Sequence, residues 1–320
     1  MMPTLLLGLS GLLIVITTIP LSVIALDAPS SPPAMLTMAG SIGQAKIDLP
    51  QPSQFQARDG VRLRYYLYPG EPDKIVVLVH GSAGPAGSMH ALANWLCAAG
   101  FTVYVPDIRG HGESSRRGDI DYIGQIDDDL VDFVAQLGPA KSGEVRTLVG
   151  FSAGAGFSIR FAGGPNGLLF DRYLLLAPIL PGAPTWRPNA GGWVNIALPR
   201  LVTIGWLDRL GIHWFDRLPV ISYAVPPQMS QVMTASYSYR LAMNFGAGPV
   251  YQAYLKHIRR PAAVLVGDAD EQVIAEQFAP LFRSLGVNIP VTVVPNMTHA
   301  DMIRRPEAFQ AVGRAISPQD

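Results

Sequence analysis

Six short, almost unbroken apolar runs constrain this chain more than any other feature. They are "KIVVLVH" (74–80), "FTVYVPD" (101–107), "VRTLVG" (145–150), "RYLLLAP" (172–178), "PAAVLVGD" (261–268) and "PVTVVPN" (290–296). A strand with one wet face alternates apolar and polar residues, whereas a strand that is apolar throughout is covered on both faces. Between these runs lie helical patterns: "SMHALANWLCAAG", stopped by Gly100, then "IDYIGQIDDDLVDFVAQLG", "VIAEQFAPLFRSLG", and a last helix from about Pro306 to Ile316. Buried strands alternating with amphipathic helices predict an α/β fold with a mostly parallel, doubly wound sheet. Before them, "FQARDGVRLRYYLYPG" reads as two alternating runs around Asp59-Gly60, a hairpin that adds an antiparallel edge.

The rhythm breaks between Ile179 and about Leu255. That stretch holds Trp186, Trp193, Trp206 and Trp214 together with Met229, Met233 and Met243. A structureless loop of that length does not fit a compact domain. The expectation is a helical cap, residues 179–254, inserted into a core made of residues 54–178 and 255–320. Most of the cap aromatics are expected to pack the cap, and some to line an apolar substrate pocket.

Residues 1–26 contain no charged side chain and are about long enough to cross a bilayer as a helix. An uncleaved N-terminal membrane anchor is the expectation, because no Lys or Arg forms a positive n-region. A signal peptide cleaved near Ala25, leaving an exported protein, is the alternative; "VIALDA" is an imperfect cleavage site. The first basic residue is Lys46, so orientation is not encoded nearby. The segment is expected to lie outside the globular fold, followed by a Pro/Ser-rich linker over residues 27–53. Lys+Arg and Asp+Glu number 24 each, for a net charge of zero. With no basic stripe to neutralise phosphates, a nucleic-acid partner is not expected. The single cysteine, Cys97, excludes an intrachain disulfide and reads as a small buried hydrophobe.

The chemistry centres on "VGFSAG", where Ser152 follows a strand and precedes a helical pattern. Gly150 and Gly154 leave room for a crowded strand-to-helix turn, a nucleophile elbow. The helix N-terminus places N–H groups beside the serine, useful for an oxyanion. A hydroxyl needs a base. His299, in "PNMTHADM", follows a strand end; His111, in "DIRGHGES", is the rival, and His80 opens the turn "HGSAG". His90, His213 and His257 lie in helical or cap segments and read as packing or surface residues. The acid that would orient the base comes from "LVGDADEQV", which offers Asp268, Asp270 and Glu271.

Taken in order, "LVHGSAG", "DIRGHGES", "GFSAG", "LVGDADEQV" and "NMTHADM" resemble the α/β-hydrolase superfamily over about residues 54–318. The likeness is to its capped serine hydrolases, akin to monoacylglycerol lipases and lysophospholipases. It implies Asp270 as the acid, with Asp268 as runner-up, and an oxyanion hole from the N–H groups of Ser82 and Ala153. It also implies that Arg109 and His111 are architectural. The implied reaction is acyl transfer through Ser152, Asp270 and His299, with no metal or organic cofactor. The expected substrate is a small amphipathic ester such as a monoacylglycerol or lysophospholipid. Two alternatives use the same fold: an amide or peptide bond, with Asp208 and Asp216 available for a substrate amine, or a C–C bond. A non-catalytic binding module is a third, against which the complete Ser–acid–His set speaks. "DIDYIG" lacks a calcium loop's glutamate, since Leu130 stands there. "IDDDLVD" reads as a solvated helix face, and the sequon "NMT" lies too close to the base for a glycan.

Overall fold

The computed structural model describes residues 20–35 and 48–317. All six apolar runs are strands of one sheet. The hairpin supplies β1 (Ser53–Gln56) and β2 (Arg62–Tyr68). There follow β3 (Glu71–Val79), β4 (Phe101–Pro106), β5 (Val145–Phe151) and β6 (Arg172–Leu176). Past the insertion come β10 (Ala262–Gly267) and β11 (Val291–Val294). Their order is β1-β2-β4-β3-β5-β6-β10-β11. The pairs involving β2 are antiparallel and the other five are parallel.

The unbroken apolar runs are explained by two cores. Along β3, Val76 and Leu78 join one apolar cluster with Met89, Leu96, Phe278 and Val312. Val77 and Val79 join the other, with Phe133, Phe157 and Phe161. All four strand residues are fully buried, and each such side chain stabilises the fold by about 1.5–3 kcal/mol relative to exposure.

The helices that follow these strands include α2 (His90–Ala98), α3 (Gln125–Gln136) and α4 (Ala153–Ala162). Two more, α8 (Phe278–Ser284) and α9 (Pro306–Ile316), close the fold. The acidic run on α3 is not simply a solvated face. Asp129 is buried against Arg109, at 2.7 Å to two guanidinium nitrogens. Asp127 accepts from Arg160 at 2.8 Å and from Asn244 at 2.9 Å, while Asp132 pairs with Arg58.

The insertion differs from a purely helical cap. It contains β7 (Val194–Ile196), α5 (Leu198–Arg209), β8 (Pro219–Tyr223), β9 (Ser236–Ser238) and α6 (Tyr239–Asn244). β7, β8 and β9 form a second, antiparallel sheet. Strands of three residues carry too short a pattern to be read as strands. The next helix, α7 (Tyr251–His257), packs on α4, with Tyr251 and Leu255 in the main core.

A helix at residues 20–26, α1, and the chain to residue 35 lie on the cap. Ile24 is buried with Ile204, Leu207, Val220 and Tyr239. Asp27 Oδ2 accepts from the Arg200 amide at 2.9 Å, in the first turn of α5, where a carboxylate complements the helix dipole. The Met35 amide donates to Ala224 O at 3.0 Å. The end of the apolar segment and the start of the linker are thus part of the globular fold; residues 1–26 carry no charge that would mark an outer face. The rest of the expected anchor, residues 1–19, lies outside the described residues. Among the described residues no helix is long and apolar enough to cross a membrane.

Candidate active site

The turn between β5 and α4 is one residue long. Ser152 occupies it with φ 56° and ψ −118°, a left-handed backbone that costs a non-glycine residue on the order of 1–3 kcal/mol. The surroundings hold it there. Its amide donates to Leu176 O at 2.9 Å, and its carbonyl accepts from the amides of Ala155 and Gly156 at 3.1 Å each. Gly150 and Gly154 are demanded by close approach. A Cβ at Gly150 would lie 2.4 Å from Gly154 O, and one at Gly154 would lie 2.3 Å from His80 O.

Two loops at the carboxyl ends of parallel strands, where ligands collect in such sheets, bring in the other groups. Asp270 follows β10 and His299 follows β11. His299 Nε2 stands 2.9 Å from Ser152 Oγ, and its Nδ1 stands 2.7 Å from Asp270 Oδ2. Asp270 is fixed through its other oxygen, which accepts from the amides of Gln272 at 2.8 Å and Val273 at 3.0 Å. With Nδ1–H donated to the carboxylate, the Nε2 lone pair faces the serine hydroxyl. All three side chains are buried. A cleft of about 350 Å³ lined by Asp48, Tyr68, His90 and Cys97 contains none of them. Asp268, the alternative acid, is exposed. Glu271 has another position: its Oε2 accepts from the His299 backbone amide at 3.0 Å.

Ala153 begins α4, so its N–H has no helical carbonyl to bond. The "HGSAG" turn runs against the serine, for a Cβ at Gly81 would lie 3.1 Å from Ser152 Cβ. That places the next residue, Ser82, beside the same space. Ser82 Oγ accepts from Trp193 Nε1 at 3.2 Å. The Ala83 amide donates to the Tyr237 hydroxyl at 2.8 Å, and that hydroxyl meets His111 Nε2. Trp193, Tyr223 and Tyr237, all from the cap, meet in tilted and edge-to-face contacts with ring centroids 5.9 and 4.7 Å apart. Aromatic side chains of the insertion therefore roof the turn beside Ser152.

The other histidines have different partners. His80 Nδ1 donates to Gly81 O at 2.8 Å, and its Nε2 accepts from the Ile108 amide at 3.2 Å. Burial lowers the pKa of His80; burial and then the neighbouring His80 ring hold His111 well below the ordinary imidazole value. Arg109 bonds Asp129 and, at 2.9 Å, Asp59 at the hairpin turn. Asp208 and Asp216 both face His213 Nδ1, at 2.8 and 3.2 Å. Among the described residues this is the group whose ligand atoms could hold a cation; one ring N–H shared between two carboxylates accounts for the same arrangement.

Arg187, at the start of the insertion, was not singled out by the sequence. Its amide donates to Gln272 O at 3.0 Å, and its Nε donates to the carbonyls of Asp270 at 3.3 Å and Val273 at 3.2 Å. Gly191, with φ 63°, passes so close that a Cβ there would lie 2.2 Å from Glu271 O. Neither contact has a motif. Of the cap residues at the turn, Trp193 was visible only as one member of a Trp-rich stretch, and Tyr237 was not visible at all.

Comparison with known proteins agrees with this architecture. A family profile described as serine aminopeptidase, S33, matches residues 70–303. A monoacylglycerol lipase of Mycolicibacterium smegmatis is 36% identical over 107 residues, covering 32% of this chain and 38% of that protein, so the match spans well under half of the lipase. An N-formylmaleamate deformylase of Pseudomonas putida is 29% identical over 249 residues, 75% of this chain and 87% of the deformylase. Among solved structures, a soluble variant of monoglyceride lipase from Saccharomyces cerevisiae superposes with a TM-score of 0.64 at 16% identity, over 84% of this chain and 94% of that one. At such low identity the superposition shows the fold alone. Sheet order, the turn at Ser152 and a family match across most of its length together place this chain among the α/β-hydrolases, in the serine aminopeptidase S33 family.

Proposed function

We propose that the protein is a serine hydrolase that cleaves carboxylic esters through an acyl-enzyme, with Ser152 as nucleophile, His299 as base and Asp270 as its orienting acid. The observation that carries this reading is the unbroken line from Ser152 Oγ to His299 Nε2 at 2.9 Å and from Nδ1 to Asp270 at 2.7 Å. His299 takes the hydroxyl proton as Oγ attacks the carbonyl carbon. The amides of Ala153 and Ser82 receive the negative charge on the carbonyl oxygen. His299 then protonates the departing alcohol, and water repeats the sequence on the acyl-enzyme. No cofactor or metal is needed for these steps.

A small amphipathic ester, a monoacylglycerol or lysophospholipid, suits the apolar aromatic roof and the neutral charge of the chain. The uncharged residues ahead of α1 would then serve as an N-terminal membrane anchor, with α1 held on the cap; cleavage near Ala25, which would remove the buried Ile24, is the alternative. Mass spectrometry of the mature protein distinguishes the two. A second reading, amide cleavage, is favoured by the deformylase relative.

Ser152→Ala tests the assignment. It should abolish labelling by a fluorophosphonate probe and hydrolysis of p-nitrophenyl esters while preserving the thermal midpoint; persistent labelling removes Ser152 from the role. A panel of acyl esters of graded length, run beside formamides and aminoacyl amides, separates ester from amide chemistry.

A further inference from the structure

We propose that the outer face of α5 is a docking surface for a lipid bilayer. Leu198, Val202, Trp206 and Leu210 recur every fourth residue along the helix and are 59, 59, 48 and 58% exposed. Trp214, just beyond, is 85% exposed. At 1.5 Å per residue the row from Leu198 to Leu210 is about 18 Å long. On the opposite side Ile204 and Leu207 are buried in the cap. A helix that only covered a core would turn charge to solvent on its outer side. Here the charged residues are Arg200, buried and bonded to Pro219 O at 3.1 Å, Asp208, held by His213, and Arg209. The helix is thus apolar towards the protein and, up to the exposed Arg209 in its last turn, apolar away from it. A contiguous patch of this kind marks an interaction surface, and tryptophans at its end suit the headgroup boundary.

The chain itself indicates a lipid occupant. Residues 1–19 carry no charge and lead into α1. There Ile24 packs on Ile204 and Leu207, the inner row of this same helix, while Leu21 and Leu26 stay exposed. Asp27 bonds the first turn of α5. An uncharged segment long enough to enter a membrane is therefore joined, through α1, to the helix that bears the exposed apolar row. The proposal goes beyond the hydrolytic reading and does not depend on which bond is cleaved.

Brominated acyl chains quench only tryptophans that reach the hydrocarbon boundary. Residues 1–19 contain none, and Trp193 is buried. The full-length protein is mixed with phosphatidylcholine vesicles with and without brominated chains. Wild-type emission should be quenched, and Trp206→Phe combined with Trp214→Phe should remove more than about half of that quenching. Val202→Asp combined with Leu210→Asp should lower it as well, and an unchanged thermal midpoint shows that each variant is folded. Unquenched wild-type emission, as expected if residues 1–19 or a second copy cover the row, would overturn the proposal. So would quenching that both double variants retain. Ser152→Ala should be quenched like the wild type, so failure of the hydrolytic reading leaves this result intact.

Discussion

Arg187 Nε donates to the carbonyl oxygen of Asp270 at 3.3 Å, so the first turn of the cap grips the backbone of the residue that holds the His299 ring. The cap is joined to the proposed catalytic acid through peptide groups, which a loop sequence does not advertise. Arg187→Ala should lower kcat on a soluble short ester by about 10- to 100-fold, because small displacements of a reacting group are costly. Arg187→Lys keeps the charge but not the Nε–H that the two carbonyls share, and should recover little. Steady-state kinetics on both variants checks this.

The two aspartates after β10 should behave very differently. Asp270→Asn leaves a near-isosteric side chain that favours the wrong imidazole tautomer, and turnover should fall on the order of 10⁴-fold. Asp268→Asn alters an exposed side chain and should leave kcat within about twofold. Equal losses would return the acid assignment to open competition.

Gly154→Ala would put a methyl group 2.3 Å from His80 O and 2.7 Å from Val79 O. Backbone oxygens on a central strand cannot retreat, so the variant should lose about 1–3 kcal/mol of stability together with esterase activity. Chemical denaturation and a fluorophosphonate titration measure the two effects separately.

Stability should fall on the acid side. His80 and His111 are fully buried, and their folded pKa values lie below the ordinary imidazole value of 6.5. Below pH 6.5 the unfolded chain therefore binds more protons than the folded one. The contribution of the neutral rings is complete above 6.5 and is lost as pH falls towards the folded values, at up to about 1.4 kcal/mol per pH unit per ring. Urea midpoints at pH 8, 7, 6 and 5 should be level at first and then drop. A flat profile to pH 5 contradicts the lowered values.

Arg109 lies between Asp129 and Asp59 with its side chain 4% exposed. Burial already pushes the Asp129 carboxyl up, against the pull of Arg109. Arg109→Met strands that carboxylate, so the protein should lose about 3–5 kcal/mol. Arg109→Met with Asp129→Leu should recover much of the loss, measured by denaturant unfolding as a double-mutant cycle.

The central sheet was legible because its parallel strands are apolar runs, covered on both faces where they are central, as β3 is between its two cores; at the edge β11 leaves Thr292 and Val293 exposed. Ser152 and His299 could be named because strand ends mark where such loops gather; for the acid that rule left Asp268, Asp270 and Glu271 open, and Asp270 came from the resemblance. What stayed hidden has physical reasons. β7 and β9 are three residues each, below the length at which alternation can be read. The acids of α3 resembled a solvated face because their partners, Arg58, Arg109 and Arg160, come from distant parts of the chain. Glu271 was weighed as an acid for the imidazole ring, yet it holds the His299 backbone instead, a distinction of a few ångströms that composition does not carry. Ile24 sits in a run with no charged residue to mark its outer side.

The Tyr237 hydroxyl joins the Ala83 amide to His111, and Ala83 adjoins Ser82. If β9 swings away, both bonds are exchanged for water at once, at about 0.5–1.5 kcal/mol each. Opening of the cap at β9 would then be a minority event, and for a substrate that passes there the apparent second-order rate would be scaled by the open fraction. Selection among small esters would begin before the carbonyl reaches the serine, as a matter of waiting time rather than of fit.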